Sequence, residues 1–125
     1  MSNASSSKVK LKKKFDLEDR LVEFAAKVAL FSRDLPSDMT GQYYGNQLLR
    51  SGGSSTLNFG EAQGTNSNRD YVNKASISLK ELKESRVNLK VLNKIHYGDT
   101  KSSAELLDEV EQLIKIIATI IKNKK

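Results

Sequence analysis

QLLRSGGSSTLNFGEAQ, residues 47–63, is the stretch on which the reading of this chain turns. Read locally, Ser51-Gly52-Gly53-Ser54-Ser55 is loop punctuation. Six of the chain's seven glycines fall between residues 40 and 64. Each glycine inside a helix costs about 1 kcal/mol relative to alanine, so propensity alone would split the segment. Periodicity argues the other way. Tyr44, Leu48, Ser55, Phe59 and Ala62 keep helical spacing straight through the glycines. Gln47, Ser51, Ser54, Asn58 and Glu61 form a second stripe at steps of four, three, four and three. Two registers that survive the same glycines predict one continuous helix in which small residues allow close packing.

The flanking segments read more simply. Upstream, Asp16 is a good N-cap, and Glu18 and Asp19 sit where the helix dipole favours acids. Leu17, Leu21, Phe24, Val28, Phe31 and Leu35 then mark one apolar stripe, which Pro36, the only proline, closes. Downstream, Ser67 with Asp70 three residues later opens a third helix that runs to about Ile95. Tyr71, Ala75, Leu79, Leu82, Leu89 and Leu92 are its expected inward residues. Gly98-Asp99 makes a turn, and Ser102-Ser103 with Glu105 suggests a capping box for a fourth helix. That helix carries nine large aliphatics within residues 106–121: Leu106, Leu107, Val110, Leu113, Ile114, Ile116, Ile117, Ile120 and Ile121. One core-facing stripe needs fewer, so the excess predicts a homo-oligomer. Four helices and no strand pattern make the chain all-α.

Composition limits what such a bundle does. At 125 residues the chain fits one domain. It lacks the run of about 18 apolar residues that a membrane span needs and the apolar core of a signal peptide, so the expectation is a cytoplasmic protein with no membrane role. Zero cysteines exclude disulfides and thiolate metal sites. The net charge is +6, but residues 1–14 hold five lysines and no acid, whereas residues 15–125 hold 16 basic and 15 acidic side chains. The expected organisation is a flexible basic tail over 1–14 and a nearly neutral bundle over 15–125.

The residues quoted above carry a resemblance. The stretch 47–63 resembles the second-helix signature of the four-helix-bundle proteins of bacterial 23S rRNA intervening sequences, at Gln47, Leu48, Arg50, Ser51, Ser54, Asn58, Glu61 and Ala62. FDLEDRLVEFA at 15–25 is similar to the family's opening. DYVNKASISLKELKESRVNLKVL at 70–92 resembles its third helix, with Lys80, Glu81, Glu84 and Arg86 in place. The chain departs at Val87 and Asn88, where many relatives carry aromatics, and at Thr56. The resemblance implies an antiparallel up-down four-helix bundle, commonly assembled as a homopentamer. It also implies kinship to the accessory protein of diversity-generating retroelements, whose basic pentamer associates with nucleic acid and a reverse transcriptase.

Candidate chemistry is sparse. His96, the only histidine, lies at the end of the third helix with neither nucleophile nor partner nearby, which reads as a surface residue rather than a catalytic base. One histidine also excludes the paired Glu-x-x-His motifs of a di-iron bundle. No loop has calcium-ligand spacing, and Gly60–Gly64 lacks the Gly-Lys-Ser/Thr of a phosphate loop. The expectation is therefore no enzymatic activity, no cofactor, no metal and no small-molecule substrate. Two groups of residues remain. Gln47, Arg50, Ser54, Asn58 and Glu61 form either an intramolecular network or a shared interface. Lys80, Lys83, Lys90 and Lys94 share one side of the third helix and, with Lys12, Lys13 and Lys14 of the tail, are the candidates for contact with RNA or DNA. Few aromatics flank these lysines in sequence, so base stacking is expected to add little. The alternative is a structural or protein-interaction bundle without a nucleic-acid role.

Overall fold

The computed structural model describes residues 16–125, and the expected tail over 1–14 lies outside them. Four helices follow one another: α1 Leu17–Arg33, α2 Met39–Gln63, α3 Asn68–Lys94 and α4 Thr100–Lys124. They form an antiparallel up-down bundle in which each helix lies beside the next. The α2–α3 seam is the most extensive, and the α1–α4 seam that closes the ring is the thinnest. Leu21, Phe24, Val28, Leu48, Phe59, Leu82, Leu89, Leu92, Leu113 and Ile117 fill the single core.

Each helix starts on a side-chain oxygen. Asp16 Oδ1 accepts from the Glu18 amide at 3.0 Å, and Asp38 Oδ1 accepts from Gly41 at 2.8 Å. Ser67 Oγ accepts from Asp70 at 3.1 Å. The fourth helix starts earlier than Ser102-Ser103. Asp99 is its N-cap, with its carboxylate accepting from both the Ser102 amide and the Ser102 hydroxyl at 2.9 Å. A carboxylate outcompetes a hydroxyl for the positive helix end, so Ser103 is drawn into the helix and buried. At the other boundary, α1 stops at Arg33, one residue before its Asp34 C-cap. Leu35 still packs into the core from the connection, only 8% exposed.

The second helix runs unbroken through Gly52-Gly53. Gly52 faces α1 so closely that a Cβ there would stand 3.3 Å from Val28 Cγ1, whereas Gly53 faces open space. Small residues serve the other side as well. Ser51 and Ser55 of α2 and Ser78 and Ser85 of α3 are completely buried. This changes the inward face expected for α3: Ala75, Leu82, Leu89 and Leu92 are buried, but Tyr71 and Leu79 are only half-buried. Ser78, Glu81 and Ser85 take the remaining core positions, because α3 leans its polar flank onto α2.

The nine aliphatics of α4 are also redistributed. Six are buried, Leu107, Ile116 and Ile120 are half-buried, and none is exposed. The large exposed apolar side chains lie elsewhere, chiefly on α1 and α2: Val22, Leu30, Met39, Tyr43, Leu49 and Leu57. The α4 surplus is therefore absorbed by the chain's own bundle, and the apolar surface left over belongs to different helices.

The α3–α4 corner carries the one positive-φ non-glycine residue among the described residues, His96 at φ 62°. The Tyr97 amide donates to Leu92 O at 2.9 Å and the His96 amide to Asn93 O at 3.2 Å, closing α3 with a Schellman motif. Exposed and left-handed, His96 occupies a position that glycine fills without steric cost. His96→Gly should raise the unfolding free energy by about 1 kcal/mol in a urea titration. A loss of stability would show that the imidazole makes contacts that outweigh the backbone strain. At the same corner, the Tyr97 hydroxyl donates to Asp38 Oδ2. That bond, with the Gly41 amide, holds the Asp38 carboxyl below its ordinary value and raises the Tyr97 phenol.

Candidate nucleic-acid interface

The polar stripe of α2 turns toward α3. Arg50 donates to Glu81 Oε1 at 3.2 Å and to Glu84 Oε1 at 3.1 Å. Glu61 meets Lys74 at 2.7 Å. Between these ion pairs the hydroxyls of Ser51 and Ser85 lie 2.7 Å apart, and Ser78 Oγ donates to Ser55 O at 2.7 Å. Asn58 Nδ2 donates to Ser54 O at 2.9 Å and to Ser54 Oγ at 3.1 Å. Arg50, Ser54, Asn58 and Glu61 thus all find partners within one chain; Arg50 and Glu61, with the buried serines, form the seam that aligns α2 with α3, whereas Ser54 and Asn58 bond to each other within α2. Gln47 alone has no hydrogen bond among the described residues, and it lines a groove at the surface end of that seam.

Glu81 is the costly member. It is only 7% exposed, and the Arg50 guanidinium supplies its ion-pair partner among the described residues. Glu84 is more open and stands at the rim. Arg50→Ala should therefore destabilise the fold by about 1–2 kcal/mol, since it strands a nearly buried carboxylate, whereas Glu84→Ala should cost well under 1 kcal/mol. Chemical denaturation of both variants checks this, and equal costs would show that Glu81 does not depend on Arg50.

The four α3 lysines are where the sequence put them. Lys80, Lys83, Lys90 and Lys94 are all exposed, share the outward side of α3, and make no ion pair among the described residues. Lys80 and Lys94 are 14 helical steps apart, roughly 21 Å at the α-helical rise. The terminal lysines of α4 are not near them. Lys124 sits 4.4 Å above the Tyr71 ring, at the opposite end of α3 from Lys94. Tail residues Lys12, Lys13 and Lys14 lie outside the described residues.

Sequence spacing did not anticipate the aromatics. A shallow groove of about 460 Å³ between α2 and α3 brings Tyr43 and Tyr44 onto the same surface as Lys80 and Lys83. The antiparallel register that pairs Arg50 with Glu84 and Ser51 with Ser85 also carries Tyr43 and Tyr44 past the second half of α3. The charge pairing of the family motif was the available signal, because it fixes that register.

The two long grooves of the bundle differ in charge. The α1–α4 groove, about 590 Å³, has Phe24, Phe31 and Leu106 as its apolar lining and Glu23, Glu105 and Asp108 among its acids. Arg20 closes one end through a two-pronged pair with Glu109, at 3.1 and 2.7 Å. Among the described residues no group of three or more histidines and carboxylates is placed to hold a metal ion, and no helix is long and apolar enough to cross a membrane.

An all-helical bundle with a polar, register-setting α2–α3 seam defines the class of protein. The sequence profile described as 23S rRNA-intervening sequence protein matches residues 13–119, and the chain belongs to that family. It is similar to a crystallised protein of unknown function from the S23 ribosomal protein family of Bacteroides thetaiotaomicron. The two share 28% identity at a TM-score of 0.78, over 85% of this chain and 98% of that one. No curated protein matches the chain.

Proposed function

We propose that the protein is a non-enzymatic, self-associating helical module that engages RNA or DNA through Lys80, Lys83, Lys90 and Lys94, with Lys12, Lys13 and Lys14 of the tail adding to the attraction. The observation that carries the reading is the row of exposed, unpaired lysines along one side of α3. The acid-rich α1–α4 groove lies diagonally across the bundle, so a polyanion is drawn to one face and repelled from the other. Contact of this kind is electrostatic and weakly selective for sequence. Each lysine that neutralises a phosphate steepens the salt dependence of binding by roughly 0.9 for duplex DNA and about 0.7 for single strands. The test is a fluorescence titration of a structured RNA across salt, using the full chain and a variant beginning at Phe15. Retained binding by the shorter chain at near-physiological salt supports the α3 surface. Binding lost with the tail assigns the effect to the tail alone.

Self-association rests on a different surface. Val22 is 51% exposed, Leu49 48% and Leu57 69%, and helical spacing sets Leu49 and Leu57 beside outward-facing Gly53 and Gly60. Exposed aliphatics beside open glycines suit close contact between copies, and the family resemblance points to five. This surface also favours the second reading, a protein-interaction bundle without a nucleic-acid role. Leu57→Asp should leave the helical signal intact while lowering the mass measured by light scattering toward one subunit. A native chain already at 13.9 kDa would overturn the assembly claim.

A further inference from the structure

We propose that the α2–α3 groove seats one unpaired base of a single-stranded nucleic acid, stacked on Tyr43, with phosphates further along the strand held by Lys80 and Lys83. This site deepens the nucleic-acid reading above and rests on it.

Tyr43 does not belong to the core. The residue is 58% exposed and its side chain has no hydrogen bond among the described residues. It is nevertheless oriented. Tyr44, half-buried against the core, meets it edge to face, with ring centroids 5.0 Å apart and planes at 89°. Such pairing fixes a ring plane, and a fixed, accessible aromatic face accepts any nucleobase. Duplex bases already stack on one another, so the platform selects for single strands, loops and bulges.

The rest of the groove supplies what a nucleotide needs beyond a stacking face. Lys80 and Lys83 stand one helical turn apart and reach along the groove as point charges for successive phosphates. The acid lining the groove, Glu84, is turned aside by Arg50 at 3.1 Å, so it does not neutralise them. Gln47 has a free amide, and Asn88, whose Nδ2 donates to Glu84 O at 3.0 Å, keeps its carbonyl oxygen as an acceptor. Those two amides line the same groove as Tyr43 and offer donors and an acceptor to a base edge, while exposed Val87 adds apolar surface to it. Aromatic face, paired cations and amides on one surface define a nucleotide seat; lysines alone would define only a phosphate track.

The experiment compares fluorescein-labelled oligo(rA) with its duplex of the same length, titrated into the full chain and its variants across salt. Circular dichroism confirms that each variant folds. Tyr43→Ala should weaken single-strand binding about 5- to 150-fold, the range set by one lost stacking contact. Tyr43→Phe should bind like the native chain, and Tyr43→Ala should leave duplex affinity unchanged. Lys80→Gln combined with Lys83→Gln should lower the single-strand salt slope by about 1.4, from two phosphate contacts. If Tyr43→Ala binds oligo(rA) as the native chain does while the lysine variant weakens both ligands, the base seat is overturned and the electrostatic role stands. If the native chain binds neither ligand, the seat and the nucleic-acid reading both fall.

Discussion

Buried hydroxyls hold the register of this bundle. Ser51, Ser55, Ser78 and Ser85 lie completely inside, where an unpaired hydroxyl costs more than a buried methyl group gains. Ser51 and Ser85 satisfy each other at 2.7 Å, and Ser78 donates across the seam to Ser55 O. A slip of one turn would separate those partners and also part Arg50 from Glu81 and Glu84. Leucine contacts tolerate such sliding far better, because dispersion is non-directional. The polar seam fixes the alignment of α2 and α3, and the apolar core supplies most of the driving force around it. Gly52 extends the same logic to the other side of α2, where its bare Cα lets Val28 approach.

Much of this was legible in the sequence wherever the determinants are local. The helical stripes, the Asp16 and Ser67 caps and the continuity of α2 all follow from spacing within one element. The start of α4 was misread because Ser102-Ser103-Glu105 satisfies a local capping pattern just as Asp99 does, and only the carboxylate's stronger hold on the helix end separates them. The inward face of α3 is only partly legible for a different reason. Tyr71 and Leu79 do pack against the core, half-buried, but the face that meets α2 also uses Ser78, Glu81 and Ser85, which hydrophobicity does not single out. Of the candidate interface, the lysine row could be read from helical periodicity. The approach of Tyr43 could not, since it joins residues about 40 positions apart through a register that only the packed seam defines.

The separation of surfaces gives the architecture its functional sense. The exposed lysines lie outward on α3, and the exposed aliphatics lie chiefly on α1 and α2. A second copy covering those aliphatics would leave the lysines free, and repetition around an assembly would multiply a modest local charge into a strong field. Membership in the 23S rRNA-intervening sequence family establishes the bundle, and the proposed use rests on the arrangement of charge on this particular chain.

The thin α1–α4 seam has a consequence for how the molecule breathes. Solvent reaches into that groove, and the two-pronged Arg20–Glu109 pair, itself partly exposed, is the main polar tie across it. α2 and α3, locked by their internal hydroxyl network, make the most cooperative unit of the bundle. Amide hydrogens of α1 should therefore exchange through small openings that leave the α2–α3 hairpin intact, and those around Ser51 and Ser85 only when the whole chain unfolds.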